Sequence, residues 1–499
     1  MKKYILLICL LVVAIVVPIA FSGCSLLEGG NSTKTVNSIE RISKTKSDGL
    51  EDTYTIYYTD GTTNQFVIKN GANGQNGENG KDGEVDIIAL WQKYCEETGS
   101  SITFQEFIDN FLDFEATQDN SKVINSCLLS AVKILCEINV QTTSGGAQTS
   151  ELAVVRGSGI IYKINSDYTY IATNYHVMNY YPDSLGVGVT FDGASITKAS
   201  CWLYGCGGAV DYNYQYIYSS GELITKITGI KAYDGYEIEM EYVGGSAEAD
   251  IAIVKVPTSE VLSRNSQAKA VVTASDYYVG ETAIAIGNPE DKGISATQGI
   301  ISVHDEFVAL SVGGTTSLHR SVRFDTSIYH GSSGGGLFNK NGELIGITNA
   351  GDNTDEHINW AVPVQIVEGV ANSIISQDEN GAETPIKAKK VVVGINVGSE
   401  NQTYRYDSVS GYGKIEEDAV VRSVEENSIA IEIGFVAGDI IKAIVINGTQ
   451  HKIYRYFDVG DWLHKVDVDD EISFLVVRNE SEIATGTHTI VAEDLVSQK

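Results

Sequence analysis

The sequence predicts a mainly β protein whose central body is a barrel or sandwich, and three observations carry that expectation. From about Ser121 to Gln377, short apolar runs such as Gly159-Ile160-Ile161-Tyr162, Tyr168-Thr169-Tyr170-Ile171-Ala172 and Ile251-Ala252-Ile253-Val254-Lys255-Val256 alternate with Gly, Asn and Asp, the pattern of many short strands joined by turns. From Val36 to Lys69 residues alternate in strand fashion, with Tyr54, Ile56 and Tyr58 on one face and a turn at Asp60-Gly61. Beyond residue 388 strands again mix with one short helix. The 499 residues leave room for about three domains, and 43% hydrophobic content fits a folded, core-bearing chain.

At the amino terminus Lys2 and Lys3 precede an apolar run from Tyr4 to Phe21 that ends in Phe21-Ser22-Gly23-Cys24, the layout of a secretory signal over residues 1–23. Small residues before a cysteine resemble a bacterial lipobox, which implies cleavage before Cys24, lipid on that residue, and attachment to the membrane. The other reading is an uncleaved membrane helix, against which Pro18 near the end of the run argues. Either way the remainder is expected outside the cytoplasm.

Residues 24–84 then read as the anchor, the small β module and a spacer, because Gly71, Gly74, Gly77, Gly80 and Gly83 recur every third residue without proline. A short proline-free run of this kind is a hydrophilic spacer rather than a collagen helix. Over 85–118 the spacing of Ile87, Ile88, Trp91, Tyr94 and Cys95, then of Phe104, Phe107, Ile108, Phe111 and Leu112, predicts a helical hairpin. Thr103 and Glu106 form a capping box for its second helix. The β-rich body follows over 122–372, and the polar stretch Gln377-Asp378-Glu379-Asn380-Gly381 marks a linker over 373–387.

Composition excludes one class of partner. Thirty-five Lys and Arg against 65 Asp and Glu give a formal charge of −30, which repels nucleic acid and anionic headgroups. Of the seven cysteines, Cys9 lies in the signal and Cys24 is the anchor. Cys95, Cys127, Cys136, Cys201 and Cys206 are too sparse for a disulfide-built fold. Cys201 and Cys206 bracket Trp-Leu-Tyr-Gly and are compatible with a bridge or with two free thiols. No Cys and His spacing matches a metal site, and no cofactor is expected.

Three segments of the β-rich body carry chemistry together: Ala172-Thr173-Asn174-Tyr175-His176-Val177, Ala249-Asp250-Ile251-Ala252-Ile253-Val254, and His330-Gly331-Ser332-Ser333-Gly334-Gly335-Gly336-Leu337-Phe338. A serine hydroxyl is a poor nucleophile until an imidazole takes its proton, and that imidazole needs a carboxylate to fix its tautomer. His176, Asp250 and Ser333 fit these roles, and the glycines allow a turn in which the N–H groups of Ser333 and Gly331 converge on a developing oxyanion. Alone, each is more simply a structural histidine, a strand-opening aspartate and a loop. The conjunction carries the reading. Gly331-Ser332-Ser333-Gly334-Gly335 also satisfies G-x-S-x-G, but that elbow needs a helix after the serine. Here Leu337-Phe338, a turn at Asn339-Lys340-Asn341-Gly342 and Leu344-Ile345-Gly346-Ile347 predict a hairpin instead.

In the order His, Asp, Ser, these segments resemble the extracytoplasmic HtrA (Deg) family of serine proteases. Further matches are Ala283-Ile284-Ala285-Ile286-Gly287-Asn288-Pro289, Gly299-Ile300-Ile301-Ser302, Asp325-Thr326-Ser327-Ile328 and Asn359-Trp360-Ala361-Val362-Pro363. The resemblance implies a chymotrypsin-like double β-barrel with the catalytic residues in the cleft between barrels. It assigns His176 as general base, Asp250 as its orienting acid and Ser333 as nucleophile. It also gives Gly331, Ser332 and Ser333 to the oxyanion turn, with Asn349 and Ala350 alongside the substrate backbone. Gly336, Ser332 and Tyr329-His330 depart from the family pattern, which bears on the pocket for the residue before the cut and on the resting oxyanion geometry rather than on the triad.

A larger departure is the span from 177 to 249, which carries Tyr212, Tyr214, Tyr216 and Tyr218 at strand spacing, then Glu237, Glu239 and Glu241. It reads as an enlarged surface hairpin with a packed inner face, or as a regulatory or substrate-contact loop. Over 388–495, Val391-Val392-Val393-Gly394-Ile395, Gly434-Phe435-Val436-Ala437-Gly438-Asp439 and Ile446-Asn447-Gly448 resemble a PDZ domain. Such a domain binds peptide C-termini by strand addition, with Val393, Gly394 and Ile395 as the cradle. Together the resemblances imply an endopeptidase for unfolded proteins or peptides, homotrimeric and PDZ-controlled. The competing expectation is a surface chaperone or sensor with an idle barrel. An esterase is a third.

Overall fold

The computed structural model describes residues 39–48, 51–58, 62–69, 91–95 and 120–498, apart from 183–184, 186, 220–221, 353 and 409–410. Cys24 and the glycine spacer lie outside the described residues, as does most of the expected helical hairpin, of which 91–95 are helical. The chain divides into two compact units at residue 119. In the first, β1 (Ile39–Asp48), β2 (Glu51–Tyr58) and β3 (Thr63–Lys69) form an antiparallel sheet in that order.

The second unit opens with helix α1 (Ser121–Leu128) and then builds two barrels. The first uses β4 (Ala131–Ser144), β5 (Ala147–Ile164), β6 (Tyr168–Thr173), β7 (Val189–Leu203), β10 (Ile238–Glu239), β11 (Glu241–Ser246) and β12 (Ile251–Pro257). Its strands run β7-β4-β5-β6-β12-β11. The ring closes because β10 pairs with β7, while β11, separated from it by Met240 alone, pairs with β12. The hairpin β8 (Val210–Ser219) and β9 (Glu222–Tyr233) is inserted between β7 and β10.

The second barrel uses β14 (Thr282–Gly287), β15 (Ser295–Val312), β16 (Thr315–Phe324), β17 (Gly336–Phe338), β18 (Glu343–Gly351) and β19 (Asn359–Pro363), with the short β13 (Val272–Thr273) beside β18. Its order, β18-β17-β14-β15-β16-β19, is closed by pairing of β19 with β18. Every residue of β14 is buried. That is why it reads as an unbroken apolar run rather than an alternating one. One core fills the first barrel around Ile134, Ile171 and Val254, and another joins the barrels to the helix that follows.

That helix, α3 (Val364–Glu379), corrects the expected linker at 373–387. Ile374 and Ile375 continue the buried stripe of Val367 and Val370, so helical burial carries on through the polar residues. Asp378 accepts from Lys255 at 2.8 Å and from Tyr170 at 2.9 Å, and Glu379 accepts from Lys163 at 2.8 Å. The polar residues are thus consumed in contacts, and Ile386–Lys387 adds a strand beside β11.

The carboxy-terminal sheet has its own core around Val421, Ile444 and Phe474, with short helices Ile429–Ile433 and Asp458–Leu463 packed against it. A buried cation ties it to the second barrel: Arg320 on β16 lies 2.8 Å from Asp461 and over the Phe457 ring. Cys201 and Cys206 are two free thiols. The inserted hairpin buries only the base of its aromatic face: Tyr212 is partly buried, while Tyr214, Tyr216 and Tyr218 are 50%, 67% and 77% exposed.

Candidate active site

Because β6 and β12 are antiparallel neighbours, the end of one lies at the start of the other. Thr173 pairs with Ala252, and the residues just beyond them, His176 and Asp250, therefore meet. Helix α2 (Tyr175–Met178) is a single turn that lifts His176 off the barrel rim. Asn174, fully buried, donates from Nδ2 to the Asp250 carbonyl at 2.9 Å and so ties the two strand ends together.

Asp250 is 1% exposed and is held by three donors. Its Oδ1 accepts the backbone N–H of His176 at 3.0 Å, its Oδ2 lies 2.8 Å from His176 Nδ1, and Asn349 Nδ2 donates to Oδ2 at 3.2 Å. A carboxylate offers only acceptors, so Nδ1 carries a ring proton and Nε2 is the basic nitrogen of the neutral ring. Asp250 adopts φ 52°, a left-handed conformation worth about 1–3 kcal/mol of strain in a residue other than glycine. The surrounding bonds hold it.

Ser333 comes from the other barrel, in the loop between β16 and β17. Ser158 on β5 binds that loop to the first barrel. Its N–H donates to the Ser333 carbonyl at 2.8 Å, and its hydroxyl donates to the Gly331 carbonyl while accepting from Asn288 N–H, both at 2.7 Å. The Ser333 hydroxyl donates to the Asn349 carbonyl at 3.3 Å. Gly331 sits at φ 96°, and a Cβ there would lie 2.4 Å from the Asn288 carbonyl oxygen, so only glycine fits.

The peptide groups of this turn are oriented by their carbonyls. The His330 carbonyl accepts from Glu290 N–H at 2.7 Å, and the Ser332 carbonyl accepts from Gly335 N–H at 2.9 Å and from Thr348 Oγ1 at 2.7 Å. In a planar trans peptide the N–H points opposite the C=O. The N–H groups of Gly331 and Ser333 are therefore turned the other way, and no acceptor among the described residues takes either one. Ser332 N–H, by contrast, is spent on the Tyr329 carbonyl at 2.8 Å.

His176, Asp250, Ser333, Gly331, Asn349 and Ala350 line one cleft of about 990 Å³ between the barrels. Ser332 is buried beneath it. Asn349, expected only beside a substrate, also grips the Asp250 carboxylate. Ser158 and Asn288 were not anticipated; the available signal for the serine was its place between glycines in Gly157-Ser158-Gly159, where a Cβ on Gly157 would come within 2.7 Å of Val177. Val393, Gly394 and Ile395 lie in the carboxy-terminal domain. The Val393 carbonyl accepts from Ala430 N–H at 2.8 Å and the Gly394 carbonyl from Glu425 N–H at 2.9 Å. The next amides, of Gly394 and Ile395, thus face away from those partners.

Paired six-stranded barrels with this cleft define a trypsin-like peptidase domain, and residues 157–347 match the family model for one. Curated relatives are similar over a longer span. The chain is 27% identical over 338 residues to the serine protease Do-like HtrA of Bacillus subtilis, covering 66% of this chain and 62% of that one. It is 28% identical over 249 residues to the periplasmic serine endoprotease DegP of Escherichia coli, covering 48% of each. The match therefore spans roughly half to three fifths of these relatives' lengths. A solved HtrA-type protease, AlgW with decapeptide, aligns with 74% of the chain at 19% identity and a TM-score of 0.43. The chain is thus similar to HtrA-type serine proteases over about half to two thirds of its length.

Proposed function

We propose that the protein is a serine endopeptidase in which Ser333 is the nucleophile, His176 the general base and Asp250 its orienting acid. The observation that carries the reading is the cleft itself, where a carboxylate-bound imidazole from one barrel faces a hydroxyl and two unspent amides from the other. Rotation of the Ser333 hydroxyl from the Asn349 carbonyl toward His176 Nε2 gives up one long hydrogen bond, about 1 kcal/mol. Attack on a scissile carbonyl then passes the proton to Nε2, and Asp250 stabilises the imidazolium at Nδ1. The oxyanion takes the N–H groups of Gly331 and Ser333. Protonation of the leaving amine by His176 frees the first product, and water releases the acyl group by the same steps in reverse roles.

The substrates are unfolded or damaged proteins, which supply extended peptides. The carboxy-terminal domain is a PDZ module whose Gly394 and Ile395 amides, with Val393 behind them, receive a peptide C-terminus. The chain is lipid-anchored at Cys24 on the extracytoplasmic face and works as a trimer. A fluorophosphonate probe tests the core of the reading: wild type is labelled and cleaves a denatured protein, while Ser333→Ala does neither. Labelling absent from both would leave the chaperone reading in its place.

A further inference from the structure

The inserted hairpin β8–β9 is anchored on the turn that supports the oxyanion loop. Tyr212 Oη donates to Asp291 Oδ2 at 2.7 Å. Lys133 Nζ lies 2.7 Å from the other oxygen of that carboxylate and donates to the Gly208 carbonyl, at the foot of β8, at 2.6 Å. The other foot, Asp234, accepts the N–H groups of Gly208 and Ala209 at 2.6 and 2.9 Å. Hairpin and turn are thus joined at two points, one of them the phenol of Tyr212.

The turn needs such support. Glu290 and Asp291 are consecutive residues at φ 55° and 59°, a conformation that neither side chain favours and that persists only when neighbours hold it. Glu290 also supplies the N–H that fixes the His330 carbonyl at 2.7 Å. That carbonyl orients the peptide whose other end is the Gly331 N–H. Burial, followed by the hydrogen bond to Asp291, pushes the Tyr212 phenol well above its ordinary range, so it stays a donor across the working pH. The remaining tyrosines of β8 are exposed, so they do not anchor the hairpin.

We infer that Tyr212 is a positioning residue for the oxyanion turn, acting through Asp291 and Glu290 on the Gly331 amide, so that the insertion serves transition-state stabilisation. The inference rests on the serine-peptidase reading above. A misaligned oxyanion donor weakens binding of the transition state while leaving the ground state nearly untouched, so kcat falls and KM holds.

The test is steady-state cleavage of a fluorogenic peptide by the full chain, with thermal midpoints measured alongside. Tyr212→Phe is expected to lower kcat about 10-fold, a fraction of the ~10²–10³ seen when an oxyanion donor is removed outright, with KM within about 2-fold and the midpoint close to wild type. Tyr216→Phe, on the exposed face, leaves both constants unchanged. If Tyr212→Phe does not fold, Asp291→Asn, which keeps the shape and removes the charge, is expected to give the same split. An unchanged kcat in a folded variant overturns the inference, and so does a raised KM at constant kcat, which marks a substrate contact. A wild type that neither cleaves nor takes the fluorophosphonate overturns the peptidase reading itself, a separate outcome.

Discussion

Asp250 grips His176 twice: Oδ1 accepts its backbone N–H at 3.0 Å while Oδ2 faces its Nδ1 at 2.8 Å. Main chain and ring are thereby fixed by one carboxylate. Asp250→Asn keeps an oxygen for the backbone N–H, so the barrel rim survives, but its amide can oppose the ring with a donor and favour the wrong tautomer. The expected result is a fall in kcat of about 10⁴ with a thermal midpoint near wild type, read by peptide cleavage and circular dichroism.

Ser158 joins the barrels through a hydroxyl with two partners, Asn288 N–H and the Gly331 carbonyl. Ser158→Ala leaves both buried and unsatisfied, which costs about 1–3 kcal/mol for each such group. Urea midpoints should drop accordingly. Since Gly331 is in the oxyanion turn, kcat should fall as well. Unchanged stability and rate together would remove Ser158 from the support of the turn.

The fold class was legible because chain-local signals agreed: strand-length apolar runs, turn residues between them, and His176, Asp250 and Ser333 each next to a strand. What bound those residues together was less legible, since Ser158 reaches Asn288 and Gly331 across 130 and 173 positions and Asn349 reaches Asp250 across 99, and polar residues in loops look alike in sequence. The 373–387 stretch misled for a related reason. Charges such as Asp378 read as solvated until Lys255 and Tyr170, far earlier in the chain, are found beside them. The tyrosines of β8 misled in the opposite sense, because strand spacing specifies a face but not whether anything covers it.

Arg320 is 7% exposed and lies between Asp305, at 3.4 Å, and Asp461, at 2.8 Å. Removing one partner of a buried pair strands the others, at about 3–5 kcal/mol. Arg320→Met therefore loosens the carboxy-terminal domain from the second barrel. Limited proteolysis should cut faster between residues 380 and 390 in the variant, while fluorophosphonate labelling of the barrels persists. Equal cutting rates would mean that other contacts carry the docking.

Burial pushes the Cys136 and Cys201 thiols up to about 12, and both side chains are fully enclosed. The thiolate is the reactive form. Iodoacetamide at pH 8 should therefore spare both residues in the native protein and modify both after unfolding in guanidinium without reductant. Mass spectrometry that finds Cys201 joined to Cys206 would contradict the free thiols of the structure.

His304 offers a pH dependence with a definite sign. Burial alone would lower its pKa, but the carboxylates of Asp276 and Asp305 outweigh that and raise it to about 9. The ring stacks on Tyr277, Asp276 is shared with Lys414, and Asp305 with Arg320. With an unfolded value near 6.5, the folded state holds the proton more tightly. The resulting stabilisation is fully present below pH 6.5 and is lost as pH rises through 9. With the ring partly exposed, the effect is on the order of 1–3 kcal/mol. Urea midpoints of the wild type should decline between pH 7 and 9.5, and His304→Gln, which cannot take up a proton, should flatten that decline. Parallel curves for the two proteins would assign the pH dependence to other groups.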